Sequence, residues 1–271
     1  MPSKEELKML QALPLEIKVM KTKQRIKEWV DYFGVDGVFV AFSGGKDSTV
    51  LLHLVREMYP EVEAVFCNTG LEYPEIQKFA KSFDNVTVLR PKMSFSEVIT
   101  KYGYPMLSKE IADCVYGARR NTKQEDNYRM KRLKGLITDK NGKKSVFNCE
   151  KYMPLTKVDF IISGKCCNIM KKSPAESYAK KTNKRQIIGT MADESVLRKT
   201  EWLMHGCNGF DMKKQQSKPM SFWTEQDVLH YIEANNIEIA SVYGEIAPEE
   251  SSCEYEQLAF DNSMVKLKCK G

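Results

Sequence analysis

The sequence contains no apolar run approaching the length needed to cross a bilayer, which excludes a helical membrane span. Its first residues, Met1-Pro2-Ser3-Lys4-Glu5-Glu6, are polar and carry acids. They do not read as a secretion signal or a transit peptide, so the cytoplasm is the expected compartment. Internal repeats and low-complexity tracts are missing. No two cysteines stand at Cys-x-x-Cys spacing, so the usual sequence mark of a zinc or cluster knuckle is lacking.

What is there suits an ordinary globular protein. The 271 residues are 42% hydrophobic and 29% charged, enough for one large α/β domain with a smaller appended region. The net charge of +6 is a modest excess that suits nucleotides or RNA without demanding either. Eight cysteines in a cytosolic chain argue against a disulfide framework and leave core packing, thiol chemistry or metal binding.

Apolar residues at Leu15, Ile17, Val19, Met20, Ile26, Trp29, Val30 and Phe33 predict a helix over 15–33 with one buried stripe. Gly34 and Gly37 end it. The run 37–42 reads as a strand buried on both faces, and 49–55 continues as a helix that stops near Tyr59-Pro60. Further strands are expected at 63–67, 85–89 and 186–189. Helices are expected from Tyr73-Pro74-Glu75, over 94–101 and 108–118, and from a capping-box pattern at Thr224 and Asp227. This alternation implies a mostly parallel sheet sandwiched by helices. Helices in 1–34 are expected to pack on a core domain at 35–240, which carries an irregular basic insertion or hairpin at about 119–157. A C-terminal segment follows at 241–271.

The chemistry centres on Ser43-Gly44-Gly45-Lys46-Asp47-Ser48, where a strand runs directly into a helix. Two glycines let the backbone approach a ligand closely, and the helix start with its dipole favours an anion. Ser43, Ser48 and Thr49 can add hydroxyl donors, and Lys46 a point charge. Asp47 could orient Lys46 or hold Mg²⁺. No glycine stands where the longer P-loop motif needs one. A tight turn with strain-relieving glycines is the plainer alternative, and it explains neither the hydroxyls nor the lysine.

This segment resembles the PP-loop of the adenine nucleotide α-hydrolase superfamily, which has a Rossmann-like fold. Three more stretches are similar to its phosphoadenosine phosphosulfate (PAPS) reductase branch. They are 66–75 with Thr69 and Gly70, 189–198 with Glu194, Ser195 and Arg198, and the pair Cys166-Cys167. The resemblance covers about residues 36–235. It implies a sulfonucleotide reductase acting at the phosphosulfate end of PAPS or adenosine phosphosulfate (APS). It also implies phosphate or nucleotide contacts from Thr69, Gly70, Glu194, Ser195 and Arg198, and a thiol reductant such as thioredoxin. Cys166 and Cys167 are the implied thiols of catalysis and of a [4Fe-4S] cluster, with Cys149, Cys207, Cys253 and Cys269 as candidate co-ligands.

Departures accompany the likeness. Met191 stands where the branch carries arginine, and no Glu-Cys-Gly-x-His segment follows residue 236. The end, Lys266 to Gly271, reads as an interrupted segment, so truncation is expected. The nucleophile is left open among Cys166, Cys167 and Cys269. Two alternatives therefore stand beside the reductase: an ATP-using enzyme that adenylates or thiolates tRNA or another nucleic acid, and a nucleotide-binding module without catalysis. The basic residues Arg119, Arg120, Lys123, Arg129, Lys131, Arg132 and Lys134, with Tyr116 and Tyr128 among them, fit RNA contact or a lid. A solvated face is favoured over both. His53 and His230 read as packed, His205 as a weak metal or acid–base candidate, and Cys67 as a small buried residue.

Overall fold

The computed structural model describes residues 2–120, 127–249 and 266–271. In chain order the elements begin with helices α1 (Lys4–Gln11) and α2 (Leu15–Phe33), then β1 (Val38–Phe42), α3 (Lys46–Met58), β2 (Ala64–Cys67), α4 (Pro74–Ser82) and β3 (Val86–Leu89). Next come α5 (Phe95–Tyr102), α6 (Lys109–Arg120), α7 (Tyr128–Leu133), α8 (Lys165–Cys167) and α9 (Ser173–Thr182). The last are β4 (Arg185–Ile188), α10 (Val196–His205), β5 (Asn208–Gly209), β6 (Gln216–Ser217), α11 (Glu225–Ala234), β7 (Ile246–Pro248) and β8 (Leu267–Cys269). They form two compact units. The first holds 1–68, 72–89 and 177–271, and the second 69–71 and 90–176.

The first unit is built on a six-stranded sheet in the order β3-β2-β1-β4-β6-β5. Every pairing is parallel except that of β5 with β6. Strand β1 lies near the middle, with Val40 opposite both Ala64 and Ile187. Its side chains alternate as a doubly covered strand requires. Val38, Val40 and Phe42 join the main core, while Phe39 meets the Tyr178 ring of α9 at 5.6 Å. This is the expected α/β architecture.

Helix α2 has the expected bounds but a different buried stripe. Ile17 and Met20 are exposed, while Lys18 and Thr22 are buried. Positions 15, 18, 22, 26, 29 and 30 follow one face of a 3.6-residue helix, and both polar members on it are satisfied. The Lys18 ammonium reaches the two Asp227 carboxylate oxygens at 2.8 and 2.7 Å. The Trp223 indole N–H donates to the Thr22 hydroxyl at 2.8 Å. Cys67 is half-buried rather than buried.

The second unit has its own small core of Ala112, Cys114, Val115, Ala118, Leu133, Cys149 and Ile162. The expected hairpin is present at Thr138 and Lys144, and Asp139 accepts from the Asn141 and Lys143 amides inside its turn. Gly103, at φ +97°, is required where a Cβ would stand 2.3 Å from the Ile161 carbonyl oxygen. Lys123 of the basic run, and Cys253, lie outside the described residues.

The buried thiols Cys114 and Cys149 lie 3.9 Å apart, sulfur to sulfur. Burial, then the neighbouring Cys149, pushes the Cys114 thiol up to about 11. At pH 8 little of Cys114 is then thiolate, the form that alkylates. With iodoacetamide, mass spectrometry should find the half-buried Cys166 and Cys167 modified long before Cys114. Equal rates would show that this core opens readily.

Candidate nucleotide-binding site

Strand β1 delivers the chain to Ser43, and α3 begins two residues after Gly44. Gly44 has φ +73°, and a Cβ there would meet the Ile76 carbonyl oxygen of α4 at 3.1 Å. The tight bend therefore requires glycine. Gly45 is the N-cap of α3 and supplies no side chain to the amides of its first turn. Those amides and the helix dipole give the loop an end whose chemistry favours an anion.

The hydroxyls shape the loop from inside. Ser48 donates to the Gly45 carbonyl at 2.9 Å, lies 3.0 Å from the Ser43 hydroxyl and accepts from the Ser43 amide at 3.2 Å. Thr49 donates to the same Gly45 carbonyl at 3.0 Å. The Lys46 ammonium sits 3.0 Å from Asp47 and 3.2 Å from Glu225, the first residue of α11. Burial works to lower the Lys46 pKa, but the two carboxylates outweigh it and the net direction is up. Burial pushes the Asp47 carboxyl up despite Lys46, with Glu194 and Glu225 adding to the rise. Lys46 is a fixed cation held ready at the loop, and Asp47 is its orienting partner.

Four first-unit residues outside the loop converge here. At Gly189, after β4, a Cβ would lie 3.0 Å from the Asp47 carbonyl oxygen, so glycine permits β4 and α3 to approach. The Tyr243 hydroxyl stands 3.2 Å from where a Cβ of Gly45 would be. Glu225 pairs with Lys46 as described. The fourth, Cys269 on β8, feels the charges of Lys46, Glu225 and Asp47. Burial raises its thiol above the ordinary value, and Lys46 draws it back in part. The C-terminal strand is fixed there by two hydrogen bonds between Gln226 and Leu267, and by the Gly271 amide donating to the Tyr243 carbonyl. Sequence reasoning named Cys269 as one of three thiols but missed Tyr243 and Glu225, whose only signal was the cap at Thr224.

In the 189–198 segment, Glu194 accepts from the Met191 amide at 2.7 Å and forms an ion pair with Arg198. Ser195 caps α10 by accepting from the Arg198 amide. Met191 is buried in the main core, so the place of the family arginine presents no cation. Thr69 and Gly70 belong to the second unit. There the Thr69 hydroxyl accepts from the Leu71 amide at 3.2 Å, and Gly70 turns at φ +79°. Cys166 and Cys167 also lie in that unit, on α8. Among the described residues no group of three or more His, Cys, Asp or Glu side chains could hold a metal ion. A four-iron cluster therefore does not fit the described residues. His53 meets the Tyr231 hydroxyl at 3.1 Å and His205 meets Asp211 at 3.0 Å, both away from the loop's contacts.

A parallel sheet with a glycine-cornered loop at the end of a central strand defines an α/β protein of the nucleotide-binding kind. The family model of the phosphoadenosine phosphosulfate reductase domain matches residues 37–114 and 118–247, and the chain belongs to that family. An uncharacterised protein of Methanocaldococcus jannaschii is 41% identical over 70 residues, 24% of this chain and 17% of that one. A phosphoadenosine 5'-phosphosulfate reductase of Xanthomonas axonopodis is 27% identical over 99 residues, 35% of this chain and 41% of that one. The matched stretches thus span less than half of these relatives. A crystal structure of the PAPS reductase of Candida auris, a phosphate complex, overlaps with a TM-score of 0.46 at 14% identity, covering 89% of this chain and 91% of that one. No helix among the described residues is long and apolar enough to cross a membrane.

Proposed function

We propose that the chain holds an adenine nucleotide at Ser43–Thr49 and acts on its phosphosulfate end as a sulfonucleotide reductase-like enzyme. The observation that carries this reading is the loop itself: an uncapped helix start behind Gly44-Gly45, with the Lys46 ammonium fixed beside it. Glu194, Ser195 and Arg198 belong to the same unit, with Glu194 close enough to influence Asp47. Thr69, Gly70, Cys166 and Cys167 enter the proposal through family membership.

Cys269 shares the first unit with the loop and feels the charges of Lys46, Glu225 and Asp47, which supports it as the reacting thiol. As thiolate it would attack the sulfonate sulfur. The bond from sulfur to the bridging phosphate oxygen breaks, and the nucleotide leaves with the electron pair on its phosphate. Lys46 and the loop amides stabilise that charge. The resulting cysteine S-sulfonate is cleared when an external thiol, of the thioredoxin kind, attacks the cysteine sulfur. A disulfide forms and sulfite departs, so two thiols are oxidised as one sulfur is reduced.

Calorimetry with PAPS, APS and ATP tests the nucleotide. Binding of a sulfonucleotide is expected, and tight binding of ATP alone would sink the reductase reading. Sulfite release should vanish in Cys269→Ser, persist in Cys166→Ser and Cys167→Ser, and rise with pH through the ordinary thiol value of 9.0 because the Cys269 thiol is raised. Loss in the α8 variants instead would move the nucleophile to that pair. The second reading, ATP-driven modification of a nucleic acid, is favoured by the charge of the second unit.

A further inference from the structure

We propose that the second unit carries a surface for single-stranded nucleic acid. The charge of this chain is not spread evenly. Residues 90–176 hold 19 Lys and Arg against 9 Asp and Glu, a net of +10, while the rest of the chain holds 23 against 27, a net of −4. The modest overall excess is the sum of a strongly basic unit and an acidic remainder. A small nucleotide carries far less negative charge than would match that excess, whereas a polyanion can match it.

Charge alone would also fit a solvated face, so aromatic rings set among the cations carry the argument further. This unit exposes four: Tyr104 at 48%, Tyr128 at 56%, Phe147 at 57% and Phe160 at 42%. Two of them form a fixed platform. The Tyr104 and Phe160 rings meet edge to face at 5.8 Å, the Tyr104 amide donates to the Ile161 carbonyl at 2.8 Å, and Arg119 donates to the Phe160 carbonyl at 2.6 Å. Held aromatic faces among cations are the chemistry by which proteins stack unpaired bases and track their phosphates.

A second place offers room for a base. The hairpin turn presents Lys140 and Lys143 to solvent, and the chain then leads to Phe147 at the edge of a groove of about 480 Å³. Phe147 and Tyr152 give the groove aromatic walls. Its own charges are largely paired, Arg132 with Glu110 and Glu150 with Lys144, and Lys151 completes them. A paired, aromatic groove suits a neutral base, and the hairpin lysines outside it suit the flanking phosphates. A duplex would offer its phosphates but hide its base faces, so the surface selects single strands.

Fluorescence anisotropy of labelled 15-residue RNA and DNA oligomers with the full chain, without adenine nucleotide, tests the proposal. That readout is independent of what the loop at 43–49 binds, so the two readings fail separately. Binding should weaken by about two orders of magnitude between 50 and 200 mM salt, as expected when four or five single-strand phosphates are contacted. Lys140→Glu with Lys143→Glu should flatten the salt slope by about one to two units. Phe147→Ala should weaken binding about tenfold or more and leave the slope unchanged. RNA against DNA identifies the sugar, and either one bound supports the surface. The proposal is overturned if neither oligomer binds at 50 mM salt, if duplex binds as well as single strand, or if polyglutamate competes equally and Phe147→Ala has no effect.

Discussion

Valine at Gly44 and valine at Gly45 are expected to fail in different ways. Gly44→Val should lose about 3 kcal/mol of stability, because a β-branched residue in the left-handed region costs about 1–2 kcal/mol and overpacking adds a similar amount. The clash is with atoms that cannot easily yield, since the new Cβ would press on the Ile76 carbonyl at 3.1 Å and on Ala80 at 3.3 Å. Gly45→Val should stay folded. Its φ of −80° suits any residue, and its new neighbours are the Tyr243 hydroxyl and the Ser43 hydroxyl, both ends of side chains. Exchanging a glycine cap for an apolar one should cost no more than about 1 kcal/mol. The isopropyl group would nonetheless stand over the first-turn amides where an anion must sit. Nucleotide affinity should therefore fall about a hundredfold or more, the scale of several charge-assisted hydrogen bonds. Urea denaturation and calorimetry on the two variants separate the effects. Undiminished binding by Gly45→Val would mean that the loop is not the site.

That contrast shows what sequence reasoning could reach. The β1-loop-α3 unit was legible because all its signals are local: an apolar run, two glycines and an immediate helical pattern. The same holds for Pro74 at the start of α4 and for the Thr224 cap of α11, whose reciprocal bonds with Asp227 span three residues. What stayed hidden comes from distant parts of the chain. Lys46 meets Glu225, and Gly45 meets Tyr243, across roughly two hundred residues that no periodicity can bridge. Hydropathy also misplaced the α2 stripe, because Lys18 and Thr22 are polar residues whose burial depends on partners elsewhere. The basic insertion was visible as a run of lysines and arginines. Its full weight belongs to the compact unit that holds it, since the acidic remainder offsets part of it in the whole-chain charge.

The Lys18–Asp227 pair supplies the other large expected effect. Lys18 is 3% exposed, and both oxygens of Asp227 accept from its ammonium. One of those oxygens also accepts from the Thr224 amide at 2.7 Å and the Thr224 hydroxyl at 2.8 Å. The pair thus joins the first turn of the chain's first long helix to the cap of α11, whose next residue, Glu225, holds Lys46. Removing one partner of a buried pair leaves the other charge without compensation and typically costs about 3–5 kcal/mol. Lys18→Met should therefore lower the melting temperature by roughly 6–20 °C, at about 2–4 °C per kcal/mol for a chain of this size. Methionine keeps most of the buried length, so the loss measures the charge rather than a cavity. The double variant Lys18→Met with Asp227→Asn should recover more than half of it, because the amide needs no cation yet still accepts from Thr224. Lys46 retains Asp47 in all these variants, so nucleotide affinity of the folded protein should change little. A loss below about 1 kcal/mol in Lys18→Met would place the pair among ordinary surface ion pairs. A double variant no better than the single would show that the uncompensated Asp227 charge is not what the single variant loses.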